Sequence, residues 1–478
     1  MADQQDIPSG DSIDESVEHD GATTRRGLLK AGLVAGAAVG VGGWRAGAAS
    51  GSAWHPSAAH PRKPGSLPYP NLPTGTDTIP KIKHIVVLMM ENHSYDNRLG
   101  MLKRPGADGF RIGKDGKPTA TNPYKNGDIQ HAFRMPTTCQ LSGHPAQDWL
   151  ASHQQFAQGH LDGFVKSGSG PVSMGYWQWA DQPFYYSLAK IFPIADRYFC
   201  SLLGQTDPNR RFLISGTSMG MVNDDISMVG QYPKNGTIFD RLDHAKISWK
   251  NYYSTLSTTE LYFKLFEKNA GKKVVNIKHF FTDAAAGKLP SFSLVDPDFE
   301  VMSEENPQNV AAGEQFAAKV INAVMSGPGW AHTLLIWTYD EHGGYYDHVR
   351  PPRALAPDNI APQVPKGQSK YEGFTRLGFR VPFAIVSPWA RPNYVSHKVF
   401  DHSSVCALVE AKWNLPAMTF RDANANVMLD MLDLSTPAFA KPPKLAEPLL
   451  TMHPVKAARC DVAGPGKIPP PGSVTPKP

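Results

Sequence analysis

The sequence predicts an α/β protein built on a mostly parallel sheet, and three apolar runs carry that expectation. "HIVVLMM" (His84–Met90), "TLLIWTY" (Thr333–Tyr339) and "VPFAIVS" (Val381–Ser387) are short, continuous and rich in β-branched residues. Such runs, with no polar alternation, suit strands covered on both faces. Ahead of the second run, "GEQFAAKVINAVMS" (Gly313–Ser326) spaces its apolar residues as an amphipathic helix does. A helix feeding a fully buried strand is the pattern of a parallel sheet with crossovers. Ligands of such sheets gather beyond the carboxyl ends of the strands, and two of these strands run straight into polar clusters.

The flanks differ from this body. Residues 1–48 hold a polar leader, the pair Arg25-Arg26, an Ala/Gly/Val stretch and Ala46-Gly47-Ala48, an A-x-A cleavage pattern. This resembles a twin-arginine signal peptide, which implies the twin-arginine translocase as a partner and a periplasmic or secreted destination. The stretch is short and only modestly apolar for a stable membrane anchor, and no transmembrane segment is predicted downstream. Residues 49–78 are rich in Pro, Gly, Ser and His and read as a linker. Residues 79–434 read as one α/β domain, and residues 435–478 as a Pro-rich tail. The 478 residues carry a net charge of only +5, spread along the chain, which speaks against a nucleic-acid partner. Cys139, Cys200, Cys406 and Cys460 lie too far apart for a C-x-x-C motif, and their pairing stays open.

Three clusters carry candidate chemistry. Glu91-Asn92 opens "ENHSYDN" directly after the first strand and offers oxygen ligands at a fixed point, although a capped turn would look the same. In "GQTDPNRRFLISGTS" (Gly204–Ser218), Asp207-Pro208 suggests a helix start with Asp207 as N-cap. Thr206 would then stand just outside the helix N-terminus, where backbone N–H groups favour an anion that its hydroxyl could attack. In "TYDEHGGYYDHV" (Thr338–Val349), Asp340-Glu341 leaves the second strand and Gly343-Gly344 allows a sharp turn close to a ligand. Oxygen donors without cysteine favour Ca²⁺, Mg²⁺ or Mn²⁺. Of the 17 histidines, most must be structural.

Taken in order, "VVLMMENHSYDNRLG", "LDGFV", "PFYYSLAKIFPIADRYF", "GQTDPNRRFLISGT", "TLLIWTYDEHGGYYDHVRPP", "RVPFAIVSPWARPNYVSH" and "DHSSV" cover most of residues 80–420. The set resembles the bacterial phosphoesterase family of phospholipases C and acid phosphatases, within the alkaline-phosphatase-like superfamily. That resemblance implies an α/β fold with a mostly parallel central sheet and helices on both faces. It implies one divalent metal ion held by Glu91, Asn92, Thr206, Asp340 and Glu341, with Thr206 as nucleophile and His144 and His402 beside it in catalysis. Asn209, His342 and His348 are implied to contact substrate, and Asp347 has no assigned role. The implied activity is hydrolysis of phospholipid phosphodiesters. Acid phosphatase action on soluble phosphomonoesters, or an inactive relative that binds phosphorylated ligands, are the alternatives. One departure stands out: Asn306 precedes Pro307 where the family commonly has histidine.

Overall fold

The computed structural model describes residues 61–139, 144–449 and 467–472. The expected twin-arginine segment, with Arg25 and Arg26, lies outside the described residues. Among the described residues no helix is long and apolar enough to cross a membrane.

Eight strands form one sheet: β1 (His84–Met90), β2 (Ile194–Ala195), β3 (Trp249–Tyr253), β4 (Val274–Asn276), β5 (Phe292–Val295), β6 (Thr333–Tyr339), β7 (Phe383–Val386) and β8 (Val395–Ser396). Their order across the sheet is β8-β2-β7-β6-β1-β5-β3-β4. The central ladders β6-β1-β5-β3-β4 are parallel. The sheet is therefore mostly parallel, as the sequence predicts, with one exception. β7 runs antiparallel to both β6 and β2. The chain between β6 and β7 holds no helix to carry it across a face of the sheet, and β7 returns alongside β6 in the opposite sense. It delivers Arg380, just before β7, to the same end of the sheet as the end of β6.

β1 and β6 are buried along nearly their whole lengths, so both faces of the sheet are covered. Helix Val310–Ser326 packs on β1 and β6 together with Lys278–Ala285 and Pro183–Ile191. A second group joins Thr206–Ser215 to Ile238–His244 and His402–Trp413. The first of these helices starts three residues before the predicted Gly313, because the Asn309 side chain accepts the Ala311 N–H and caps it there. Below, α1 denotes Trp149–Phe156, α2 Thr206–Ser215 and α3 His402–Trp413.

Both flanks of the predicted domain are held on this body where they are described. Asn414, in the left-handed conformation at the end of α3, accepts the Tyr69 N–H and donates to the Leu72 carbonyl at 2.7 Å. On the other side Trp330 Nε1 donates to the Phe439 carbonyl at 2.9 Å, and Leu445 is buried.

Candidate active site

The site follows from one register. β1 and β6 pair residue for residue from His84↔Thr333 to Met90↔Tyr339, so both strands end at the same level. Glu91-Asn92 and Asp340-Glu341 therefore emerge side by side. Asn92 then turns into the left-handed region (φ 64), and its N–H donates to Asp340 Oδ1 at 3.0 Å. The Glu341 N–H reaches the same oxygen at 2.7 Å. α2 brings Thr206 onto this pair, with Oγ1 3.4 Å from Glu91 Oε1 and 3.3 Å from Asn92 Oδ1. Glu91, Asn92, Thr206, Asp340 and Glu341 are all at most 2% exposed.

Helix α2 begins at Thr206 rather than after Asp207, with Gln205 as N-cap and no side-chain cap of its own. The cap comes from a distance: Asp224 Oδ1 accepts the Asp207 N–H at 2.7 Å, and the Asp224 N–H donates to Gln205 Oε1. The predicted cap residue is thus itself capped. With that N–H taken and none on Pro208, the helix end offers an anion less than the sequence suggests. Gly343 and Gly344 both take positive φ (64 and 74), as the expected sharp turn requires, and they also serve close packing. A Cβ on Gly343 (φ 64) would stand 2.0 Å from the Asn92 carbonyl oxygen, and one on Gly344 would stand 2.6 Å from that of Ala146. Their missing side chains admit neighbouring backbone.

Arg210 is a residue that sequence reasoning missed. One turn after Thr206 on α2, it is buried and sends Nε to Asp340 Oδ2 at 2.9 Å. Its other nitrogens reach the Met90 carbonyl, Thr258 Oγ1 and Asp296 Oδ1. The i, i+4 spacing from Thr206 was the available signal, since such residues share a helix face. Asp340 thus has both oxygens engaged, with lone-pair capacity left on Oδ2.

The histidines separate. His402 Nε2 meets the Asp340 carbonyl at 2.6 Å and Nδ1 meets the Tyr198 hydroxyl at 3.1 Å, so it braces the loop after β6. Burial lowers its pKa. His144 Nε2 lies 3.1 Å from Glu305 Oε1. Burial pulls its pKa down, but the hydrogen bond and charge of Glu305 outweigh this, and the net shift is upward. Glu305 is the neighbour of Asn306, whose Oδ1 accepts the Tyr345 hydroxyl. His342, fully buried, has a pKa pushed down to about 3 by that burial.

Two expected substrate contacts are committed elsewhere. Asn209 Oδ1 accepts the N–H groups of Ser201 and Leu202, and its Nδ2 donates to the carbonyls of Gly204 and Gln205. It staples the loop that presents Thr206. His348 sits between Asp96 (Nδ1 to Oδ2, 2.7 Å) and Asp108 (Nε2 to Oδ1, 3.2 Å). Asp347 belongs there too, with Arg380 Nε on its Oδ1 at 2.9 Å and a further Arg380 nitrogen on Asp96. Asp96, Asp347 and His348 lie close enough together to suggest a metal cluster. Arg380 already supplies the positive charge that such carboxylates need, and this knot ties the return of the chain to β7.

Near Thr206, Asp340 is paired with the Arg210 guanidinium. Burial first, and then the charge of Asp340, push the Glu341 carboxyl well up. Glu341 Oε1 is buried without a hydrogen-bond partner. The Thr206 contacts are longer than an ordinary O–H···O bond, yet suit oxygens sharing an ion about 2.3–2.4 Å away. The donor set thus fits a hard divalent cation.

Buried acidic groups around a helix-borne hydroxyl, at the carboxyl ends of parallel strands, define a hydrolase acting on phosphoric ester bonds once relatives are considered. The chain belongs to the Phosphoesterase family, whose model matches residues 82–416. It is 34% identical over 415 residues to non-specific phospholipase C1 of Arabidopsis thaliana, covering 78% of this chain and 75% of the other. Phospholipase C B of Mycobacterium tuberculosis (strain CDC 1551 / Oshkosh) is 30% identical over 436 residues, covering 79% and 82%. A crystal structure of an alkaline phosphatase superfamily protein from Vibrio parahaemolyticus aligns with a TM-score of 0.37 and 11% identity, over 74% of this chain and 72% of that one.

Proposed function

We propose that this protein is an exported, metal-dependent phosphoesterase of the phospholipase C type, with Thr206 as nucleophile. The observation that carries the reading is the placement of Thr206 Oγ1 within 3.4 Å of both Glu91 and Asn92, at the level where Asp340 and Glu341 leave the next strand. Glu91, Asn92, Thr206, Asp340 and Glu341 would hold the cation. When bound, it would lower the pKa of the threonine hydroxyl and offset charge on the phosphoryl oxygens.

Thr206 Oγ1 forms the new bond to phosphorus while the P–O bond to the glycerol side breaks, and its proton leaves to solvent. His144, which Glu305 keeps prone to protonation, donates the proton taken up by the departing alkoxide. Water then cleaves the phospho-threonine, releasing the phosphorylated head group and restoring the hydroxyl. Arg210 and Asn209 hold the two strand ends and the Thr206 loop in place, so that little reorganisation is left to the reaction itself. The lipid substrate is taken from the names of the relatives, and export from the leader.

The test is a substrate panel with a nucleophile variant. The wild type should hydrolyse p-nitrophenylphosphorylcholine and phosphatidylcholine vesicles in preference to p-nitrophenyl phosphate. Thr206→Ala should lower turnover at least ~10³-fold with an unchanged melting temperature. Near-normal turnover by that variant sinks the nucleophile assignment, and a preference for the monoester makes the protein a phosphatase.

A further inference from the structure

We propose that Asp224 selects substrates by charge, admitting phosphoryl esters that carry one negative charge and disfavouring those that carry two. The inference rests on the reading of Thr206 as nucleophile beside a divalent cation, and it concerns a residue that the proposed mechanism does not use.

Asp224 is fixed against the nucleophile from several sides. Its Oδ1 accepts the Asp207 N–H at 2.7 Å and its own N–H donates to Gln205 Oε1 at 3.0 Å, so it grips the residues on both sides of Thr206. The preceding residue, Asn223, accepts the Trp149 N–H at 2.8 Å and ties this loop to α1. Arg211 of α2 holds the loop further out in both directions, donating to the Ser218 carbonyl at 3.1 Å and the Met228 carbonyl at 2.7 Å. A Cβ on Gly204 would stand 2.6 Å from the Val222 carbonyl oxygen, so the Asp224 loop lies directly on the loop that presents Thr206.

These contacts bound the distance to the chemistry. Asp207 N is one peptide bond from Thr206, so Asp224 Oδ1 lies no more than about 7.5 Å from Thr206 Oγ1. A phosphorus under attack stands about 3–3.5 Å from its nucleophile. The Asp224 side belongs to a half-buried residue, and the helix N-terminus that it caps favours the ionised carboxylate. Its charge reaches across the site: burial first, then Asp340, and to a smaller extent Asp224 and Glu91 push the Glu341 carboxyl up.

The consequence is selective. The open N-terminus of a ten-residue helix such as α2 ordinarily draws an anion, and here the protein's own carboxylate occupies it. A divalent cation attracts a dianion more strongly than a monoanion, and a fixed negative charge nearby offsets that bias. With charges about 8–11 Å apart at an effective dielectric near 20, the second charge on a substrate lowers its use roughly 10-fold. Phosphodiesters carry one negative charge at neutral pH. Monoesters, with a second ionisation near pH 6, carry close to two. Asp224 therefore works against the monoester and in favour of the diester.

The experiment measures kcat/KM for p-nitrophenyl phosphate and p-nitrophenyl methylphosphonate with the full chain loaded with Mn²⁺. The two probes share a leaving group and are close in size, but carry two charges and one. The wild type should favour the methylphosphonate. Asp224→Asn and Asp224→Ser both keep a side-chain oxygen to cap the helix while losing the charge. Each should raise the phosphate-to-methylphosphonate ratio roughly 10-fold, and Asp224→Glu should hold it near the wild-type value. A wild type that favours the dianion overturns the charge selection without needing any variant to fold. An unchanged ratio in the neutral variants, including an equal loss on both probes, overturns it too and leaves the Thr206 reading standing. A wild type that hydrolyses neither probe nor p-nitrophenylphosphorylcholine overturns both.

Discussion

Removing the Arg210 guanidinium should expose how strongly the buried carboxylates depend on positive charge. Arg210→Met keeps much of the aliphatic stem but leaves Asp340 and Asp296 buried without their shared cation. Truncating one partner of a buried pair typically costs about 3–5 kcal/mol, because the remaining charge keeps its desolvation penalty. For a folded body of roughly 390 residues the unfolding entropy near 60 °C is about 0.8 kcal/mol/K. The melting temperature should therefore fall by about 4–6 °C. Because the variant site is more negative, saturating Mn²⁺ should raise its melting temperature by more than it raises that of the wild type. Scanning calorimetry of both proteins, with chelator and with Mn²⁺, reads both quantities. A chelated variant that melts within 1 °C of the wild type would refute the reasoning, as would equal metal-induced increments.

Two further outcomes are expected. His348 is lowered by burial but raised more by Asp96 and Asp108, to about 10 against an ordinary 6.5, so its stabilisation is fully present below about pH 6.5 and is lost as pH rises through about 10. The melting-temperature gap between wild type and His348→Gln should shrink from pH 6.5 to 10, and parallel profiles would contradict this. Gly343→Ala should destabilise by at least ~2 kcal/mol and depress turnover, since its Cβ would meet the Asn92 carbonyl at 2.0 Å with φ at +64°. Unchanged melting and turnover would show that Asn92 does not depend on that close approach.

How much of the site was legible in advance differs from residue to residue. Glu91-Asn92 and Asp340-Glu341 were visible because each pair directly follows an apolar run, and local composition fixes where a buried strand must end. Thr206 was visible because a proline-marked helix start follows it, although its distant cap on Asp224 shifted the boundary. The histidines were not legible. His342, His348 and His402 occur in similar polar surroundings in the sequence, yet one faces Gln155, one is locked between two aspartates and one braces a backbone carbonyl. Their partners lie 62 to 252 residues away along the chain, beyond any periodicity that a helix or strand imposes.

The sequence alone determined the elements and their chemistry: apolar runs that must be buried, charged pairs at their exits, and oxygen donors suited to a hard cation. Tertiary structure decided which of those groups meet. The in-step pairing of β1 with β6 sets the two acidic pairs at one level, and the antiparallel return into β7 sends Arg380 to Asp347. Burial and hydrogen bonding are local in sequence only where the backbone makes them so. The charge balance of a buried site is a sum over neighbours that the chain brings together only by folding.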